Sequence, residues 1–145
     1  MSPPHLVVKS MEKESFLVNP IGLISQNSDN TIIFVFEKYR AALKGLTENQ
    51  WLYVLVWLHL SDTEEKRKTL KVHPMGDPLY ELRGVFATRS PVRPNPIGLY
   101  LVRINYIDIK KGILKVTKID AYENTPVIDI KPYVETLDSP NVMTQ

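Results

Sequence analysis

The chain has 145 residues, 43% hydrophobic and 23% charged, with a formal net charge of +2, the composition of one globular domain with a sizeable core. It contains no cysteine, which excludes disulfides, thiolate zinc sites and cysteine nucleophiles. His5, His59 and His73 stand far apart, so no metal-ligand spacing is present and no metal is expected.

The segment before residue 16 reads as a loose leader with one short strand, His5 to Lys9, and it lacks the charged start and apolar centre of a secretory signal. The domain proper is expected over residues 16–135, with an irregular tail over 136–145. Phe16 to Ser25 reads as a strand broken at Asn19-Pro20, since proline suits an edge or a strand start. Asn27 to Asn30 (NSDN) is turn chemistry, and Thr31 to Phe36 (TIIFVF) is a β-branched, aromatic strand. In EKYRAALKGL the period changes. Tyr39, Ala42, Leu43 and Leu46 fall on one face of a short helix that ends near Gly45.

Trp51 to Leu60 (WLYVLVWLHL) is almost wholly apolar, which fits a strand buried on both faces. Periodicity alone also allows a buried helix; the valines and aromatics favour the strand. Its longest apolar run, Trp51 to Leu58, is far short of the roughly 20 residues of a membrane helix, so a soluble, cytoplasmic protein is expected. Ser61 to Thr69 (SDTEEKRKT) is a charged loop. It faces solvent, or Lys66, Arg67 and Lys68 meet phosphates. Leu70 to His73 reads as a strand and Pro74 to Pro78 as a turn. Leu99 to Ile109 and Ile113 to Ile119 form a hairpin around Lys110 to Gly112, with Leu114 and Val116 on the buried face. Asp120 to Pro126 is a loop and Val127 to Tyr133 a last strand. Many strands, one short helix and long loops predict a mostly β, single-domain fold, a small β-barrel or closed sheet.

The stretch around which these elements are organised is Gly84 to Leu99, GVFATRSPVRPNPIGL. Proline fixes φ and pushes the preceding residue out of the helical region. Ser90-Pro91, Arg93-Pro94 and Asn95-Pro96 are therefore held extended, presenting Arg89, Arg93 and Asn95 from a stiff backbone. A stiff loop loses less entropy on closing around a ligand. A plain sheet-capping connector is the alternative, and a PxxP ligand over Pro91 to Pro94 would sit in a disordered tail instead. On the last strand Asp129, Lys131 and Tyr133 share one face, with Ile128 and Ile130 turned to the core. The pair Asp129 and Lys131 is either an ion pair on a wet face or a proton acceptor beside an anion holder. His59 closes the buried strand, where a histidine is either packed or catalytic. No dinucleotide fingerprint, P-loop, nucleophile elbow or zincin motif occurs, so a doubly wound nucleotide fold is not expected.

GVFATRSPVRPNPIGL followed by NTPVIDIKPY, with Asn19-Pro20-Ile21-Gly22, EKYRAALKGL and VWLHL, resembles the TrmO family, also called TsaA-like or YaeB-like. The resemblance covers about Pro20 to Tyr133. It implies a β-barrel, homodimeric, S-adenosylmethionine-dependent tRNA methyltransferase. The methylated atom would be the exocyclic nitrogen of threonylcarbamoyl-adenosine next to the anticodon of threonine tRNA. It also implies a cofactor site near the subunit interface formed by His59, Leu60, Arg89, Leu99 and residues Ala121, Tyr122, Glu123 and Asn124. Arg93, Asn95, Lys131 and Tyr133 are then candidates for the tRNA, and Asp129 for accepting the proton of the attacking nitrogen. Two departures stand out. The family's Arg-Gln-Pro-rich segment between its first strands is replaced by a short turn over Ser25 to Thr31, and its usual Asp-Gly before Thr-Pro is Glu123-Asn124. A non-catalytic binder of S-adenosylmethionine or another nucleotide, acting as sensor or accessory protein, is the alternative function. A purely structural interaction domain is the third.

Overall fold

A computed structural model describes residues 4–27 and 29–143. In chain order the elements are α1 (His5–Glu12), β1 (Gly22–Gln26), β2 (Thr31–Val35), β3 (Trp51–Trp57), α2 (Glu64–Lys68), β4 (Lys71–Val72), β5 (Arg83–Gly84), β6 (Ile97–Asp108), β7 (Ile113–Val116), β8 (Pro126–Pro132), α3 (Glu135–Asp138) and α4 (Pro140–Met143). Short 3₁₀ turns lie at Glu37–Leu43, His59–Ser61, Pro74–Gly76 and Val85–Ala87. The fold is mostly β, as the alternating strands require.

Six strands form one antiparallel sheet in the order β1-β2-β7-β6-β3-β8. The sheet closes on itself, because β1 pairs with β8 through Gly22 opposite Val127 and Leu23 opposite Pro126. β4 and β5 make a separate two-stranded ribbon. Every second residue of the closed sheet points inward. Ile24, Ile33, Val35, Leu52, Val54, Val56, Val102, Ile104, Leu114, Val116 and Val127 are all buried and pack into one core, which Leu43 and Ile119 complete. The β6–β7 hairpin turns at Gly112, whose φ is 68°, a left-handed conformation that favours glycine. A Cβ there would also meet the Val35 carbonyl and the Arg40 guanidinium.

Several expectations are corrected. His5 to Lys9 is helical, not a strand: it has no strand partner among the described residues, and the Val7 and Val8 N–H groups both donate back to Pro4 O. Residues 16–20 are not part of a strand, and Phe16 and Leu17 are exposed; β1 begins only at Gly22. The expected helix is a 3₁₀ turn over Glu37–Leu43 only, with Leu43 buried and Tyr39 and Leu46 packed beside the core. β3 is not buried on both faces: Leu52, Val54 and Val56 are buried, while Trp51, Tyr53, Leu55 and Trp57 face outward. The charged segment contains a helix, because the Thr63 hydroxyl caps it by accepting from Lys66 N at 3.2 Å and two glutamates occupy its first turn. The tail is not irregular either, since α3 and α4 lie within it. The expectation of one short helix thus understates the helical content.

On β8 the expected parity breaks. Leu55 faces Asp129 but Val56 faces Val127, a β-bulge. Val127 is fully buried and Ile130 packs on the core, so Ile128, expected inside, is displaced from it.

Candidate functional site

A cavity of ≈ 780 Å³ opens at one end of the closed sheet, where four segments meet. They are Leu58–Ser61 after β3, the loop carrying Arg89, Pro91 and Arg93, the first residues of β6 from Ile97 to Tyr100, and the loop Asp120–Thr125 before β8. The wall from β6 approaches closely at Gly98. A Cβ there would lie 2.9 Å from Val56 Cγ2 and 3.3 Å from Tyr100 Cε2, so glycine keeps this part of the cavity open.

The Asp120–Thr125 wall is tied mainly from outside the cavity. The Gln26 side chain donates to Ile119 O and Ala121 O, both at 2.8 Å, and accepts from the Thr31 hydroxyl at 2.6 Å. That hydroxyl in turn accepts from Ile119 N at 2.9 Å. Glu123 accepts from the Ser25 hydroxyl at 2.9 Å and from Gln26 N at 2.7 Å. The backbone N–H of Gln26, then the Ser25 hydroxyl, hold the Glu123 carboxyl below its usual range. Asn124 takes a positive φ of 66° and its N–H donates to Ile24 O, so asparagine supplies the left-handed turn. The carbonyls of this loop are engaged by Gln26, by the Tyr100 hydroxyl on Asp120 O at 2.9 Å, and by Thr125 on Tyr122 O. The N–H groups of Ala121, Tyr122 and Glu123 donate to no protein group among the described residues. Burial pushes the Tyr100 phenol above its ordinary value, and the Asp120 carboxylate adds to this.

Of the expected cofactor residues, His59, Leu60, Arg89, Leu99, Ala121 and Tyr122 line the cavity. Glu123 and Asn124 do not; they brace its wall. The buried His59 Nδ1 has no hydrogen-bond partner, and Arg89 donates one hydrogen bond, to Leu99 O at 3.2 Å. A guanidinium with donors to spare, an orphaned imidazole nitrogen, spare backbone N–H groups and apolar walls match the carboxylate and purine of a nucleoside amino acid such as S-adenosylmethionine. Among the described residues no group of three or more His, Asp or Glu side chains could hold a metal ion.

The expected tRNA residues are scattered. Arg93 lines the cavity, but its Nη1 donates to Thr88 O and Ser90 O. The Asn95 amide oxygen accepts from Arg67. Asp129 lies on the outer face of β8, its carboxylate 2.9 Å from Lys131 Nζ and accepting from Ile130 N. The Tyr133 hydroxyl donates to Glu135 at 2.7 Å, which raises the phenol's pKa. Within Lys66-Arg67-Lys68, Lys66 donates to Leu60 O and Lys68 pairs with Glu64. Residue-by-residue reading missed Gly98, Tyr100, Asp120 and Thr125 as cavity residues. Gly98 and Tyr100 share parity with the buried Val102 and Ile104, so the alternation of β6 carried that signal.

The family model of the tRNA-methyltransferase O N-terminal domain matches residues 8–139. The chain belongs to this family. One member, named "probable S-adenosyl-L-methionine-binding protein", from Methanocaldococcus jannaschii, is 50% identical over 127 residues, covering 88% of this chain and 99% of the relative. The tRNA (adenine(37)-N6)-methyltransferase of Escherichia coli is 34% identical over 136 residues, covering 92% of this chain and 57% of that enzyme. Among solved structures, TrmO from Pseudomonas aeruginosa superposes with a TM-score of 0.65 at 26% identity, over 87% of this chain and 59% of that one. The chain thus spans under two thirds of these last two family members.

Proposed function

We propose that this protein binds S-adenosylmethionine in the cavity at the end of its barrel and transfers the methyl group to the exocyclic nitrogen of an adenosine in tRNA. The finer target is threonylcarbamoyl-adenosine beside the anticodon of threonine tRNA, and such a substrate puts the work in the cytoplasm. The observation that carries the reading is the convergence of Arg89, His59 and the Ala121–Tyr122 backbone on one cavity.

When bound, S-adenosylmethionine supplies a methyl on a sulfonium sulfur, and methylation of the nitrogen releases one proton. Arg89 pairs with the carboxylate of the amino acid through its unengaged donors. The spare N–H groups of Ala121 and Tyr122 would hold the purine acceptors. Asp120 is the one carboxylate-bearing residue among the described cavity residues, so it replaces Asp129 as the candidate proton acceptor. Most of the rate gain comes from holding nitrogen, methyl carbon and sulfur in line. Arg93 at the cavity, Asn95 in the same loop, and Lys131 and Tyr133 toward the opposite end of β8 beside Tyr53 and Trp51 are the proposed contacts for the polynucleotide.

Homodimerisation belongs to the same reading. The outer faces of β3 and β6 expose Trp51 (47%), Leu99 (39%) and Leu101 (49%), and Leu99 also lines the cavity. Exposed apolar side chains contiguous with a site are what a second copy would cover. A second reading, cofactor binding without transfer, is favoured by the place of Asp129, which pairs with Lys131 on the outer face of β8 and does not line the cavity.

Calorimetric titration with S-adenosylmethionine tests the site. Arg89→Ala is expected to weaken binding at least tenfold, corresponding to about 1.4 kcal/mol. Unchanged affinity in the variant would remove the cofactor from this cavity. Incorporation of labelled methyl into tRNA then separates transfer from binding alone.

A further inference from the structure

Arg67 lies in α2, outside the cavity-lining set, yet it contacts the loop that carries Arg89 and both flanks of the Leu58–Ser61 turn. Its Nε donates to Pro94 O at 2.8 Å and its Nη2 to Asn95 Oδ1 at 3.1 Å, both in the loop that carries Arg89. Its Nη1 donates to Asp62 Oδ1 at 3.1 Å, directly after the turn that carries His59. The other Asp62 oxygen accepts from the Trp57 indole at 3.2 Å, and the guanidinium sits 5.5 Å over the Trp57 ring at the end of β3. One further bond, Leu58 N to Pro96 O at 2.7 Å, joins the same segments. The neighbouring lysines of the basic run turn elsewhere, to Leu60 O and Glu64.

We infer that Arg67 is a positioning residue for cofactor binding: its guanidinium clamps the Arg89 loop to the His59 turn. This rests on the cavity being the S-adenosylmethionine site. The chemistry requires arginine. Three acceptors in three directions are met by a planar fork of fixed geometry, which the single ammonium of lysine cannot reproduce. The prolines at 91, 94 and 96 stiffen the loop, so a tie at Pro94 and Asn95 sets the position of the whole segment rather than bending it. Without the tie, ordering the loop would be charged to the binding step.

The test is calorimetry with S-adenosylmethionine on wild type, Arg67→Ala, Arg67→Lys and Asn95→Ala, and on Arg67→Ala combined with Arg89→Lys. Arg67→Ala is expected to weaken binding roughly tenfold, the scale of a few ordered side chains. Arg67→Lys should not restore it. In the Arg89→Lys background the same substitution should cost less than about twofold, because the clamp acts through Arg89. A merely structural arginine would cost the same in both backgrounds, and that result would overturn the clamp. So would wild-type affinity in Arg67→Ala. Should Arg67→Ala fail to fold by circular dichroism, Asn95→Ala decides: it removes one bond, and unchanged affinity in that folded variant refutes the tie. A wild type that binds no cofactor overturns the site itself and the clamp with it, which separates the two failures.

Discussion

Thr31→Val is the most demanding test of how the cavity wall is held. Thr31 is fully buried, and its hydroxyl both donates to Gln26 Oε1 at 2.6 Å and accepts from Ile119 N at 2.9 Å. Valine has nearly the same shape, so the change deletes two hydrogen bonds without opening a cavity. Ile119 is itself only 1% exposed, so its N–H is stranded, a cost of about 1–3 kcal/mol. Gln26 is half-buried and recovers water, which limits its loss to about 1 kcal/mol. Burying a methyl in place of the hydroxyl returns about 0.8 kcal/mol. The net expectation is about 2 kcal/mol of destabilisation. Unfolding entropy for a chain this long is about 0.3 kcal/mol/K, so Tm should fall by about 7 °C. Guanidinium denaturation followed by circular dichroism should show a lower midpoint with unchanged slope. Thr31→Ser keeps the hydroxyl and should cost about 1 kcal/mol, from the lost methyl alone. A loss below about 0.5 kcal/mol for Thr31→Val, within the range of an indifferent surface change, would refute the network.

Three further outcomes concern two turns and the latch at Glu123. Gly112→Ala meets both a left-handed φ and the Val35 carbonyl with the Arg40 guanidinium, and should cost about 2–3 kcal/mol by urea denaturation. Gly45→Ala, at φ 98° but with nothing near its Cβ, should cost about 1 kcal/mol, from backbone strain alone. For Glu123 the folded pKa is depressed by Gln26 N–H and the Ser25 hydroxyl, so its latch contributes fully above the unfolded carboxylate value and is lost as pH falls through the folded one. The protection of the Gln26 amide, its NMR exchange rate compared with the intrinsic rate at each pH, should fall over that acid range, and Glu123→Gln should abolish the step. An unchanged step in Glu123→Gln would place the titration elsewhere.

The strands were legible because each closes one face of a core. Thr31 to Phe36 is β-branched and aromatic throughout, Leu114 and Val116 alternate with Lys115 and Thr117, and Lys110 to Gly112 marks its turn by the one residue type that accepts a positive φ there. The helix at Glu64 was missed: Thr63 followed by two acids and three bases is the signal for it, but that charge density reads equally as a solvated loop. The bulge on β8 was not readable. It is a property of pairing between Leu55 and Val56 on one strand and residues 127–129 on the other, and no local pattern in VIDIKPY records it. At the site, Arg89 and His59 stood out from the residues themselves, while their cofactor role and Ala121–Tyr122 came from resemblance to a family. The supporting residues did not, because Gln26 reaches Ile119 and Ala121 across more than ninety positions of sequence.

The three arginines around the organising loop show how the site divides its labour. Arg67 makes three hydrogen bonds from outside the loop. Arg93 makes two from within it, to the carbonyls of Thr88 and Ser90 on either side of Arg89. Arg89 makes one, to Leu99 O. The sequence lists them as equivalent cations, but the hydrogen bonds separate two that build the loop from one that the loop presents. The opposite wall repeats the pattern: Gln26, Thr31 and Glu123 bind the loop that presents Ala121 and Tyr122. Apart from Arg93, the side chains that fix the two walls, Arg67, Gln26, Thr31 and Glu123, do not line the cavity. Binding there needs little reordering of the protein, and that is the condition under which a few polar contacts hold a small, charged cofactor tightly.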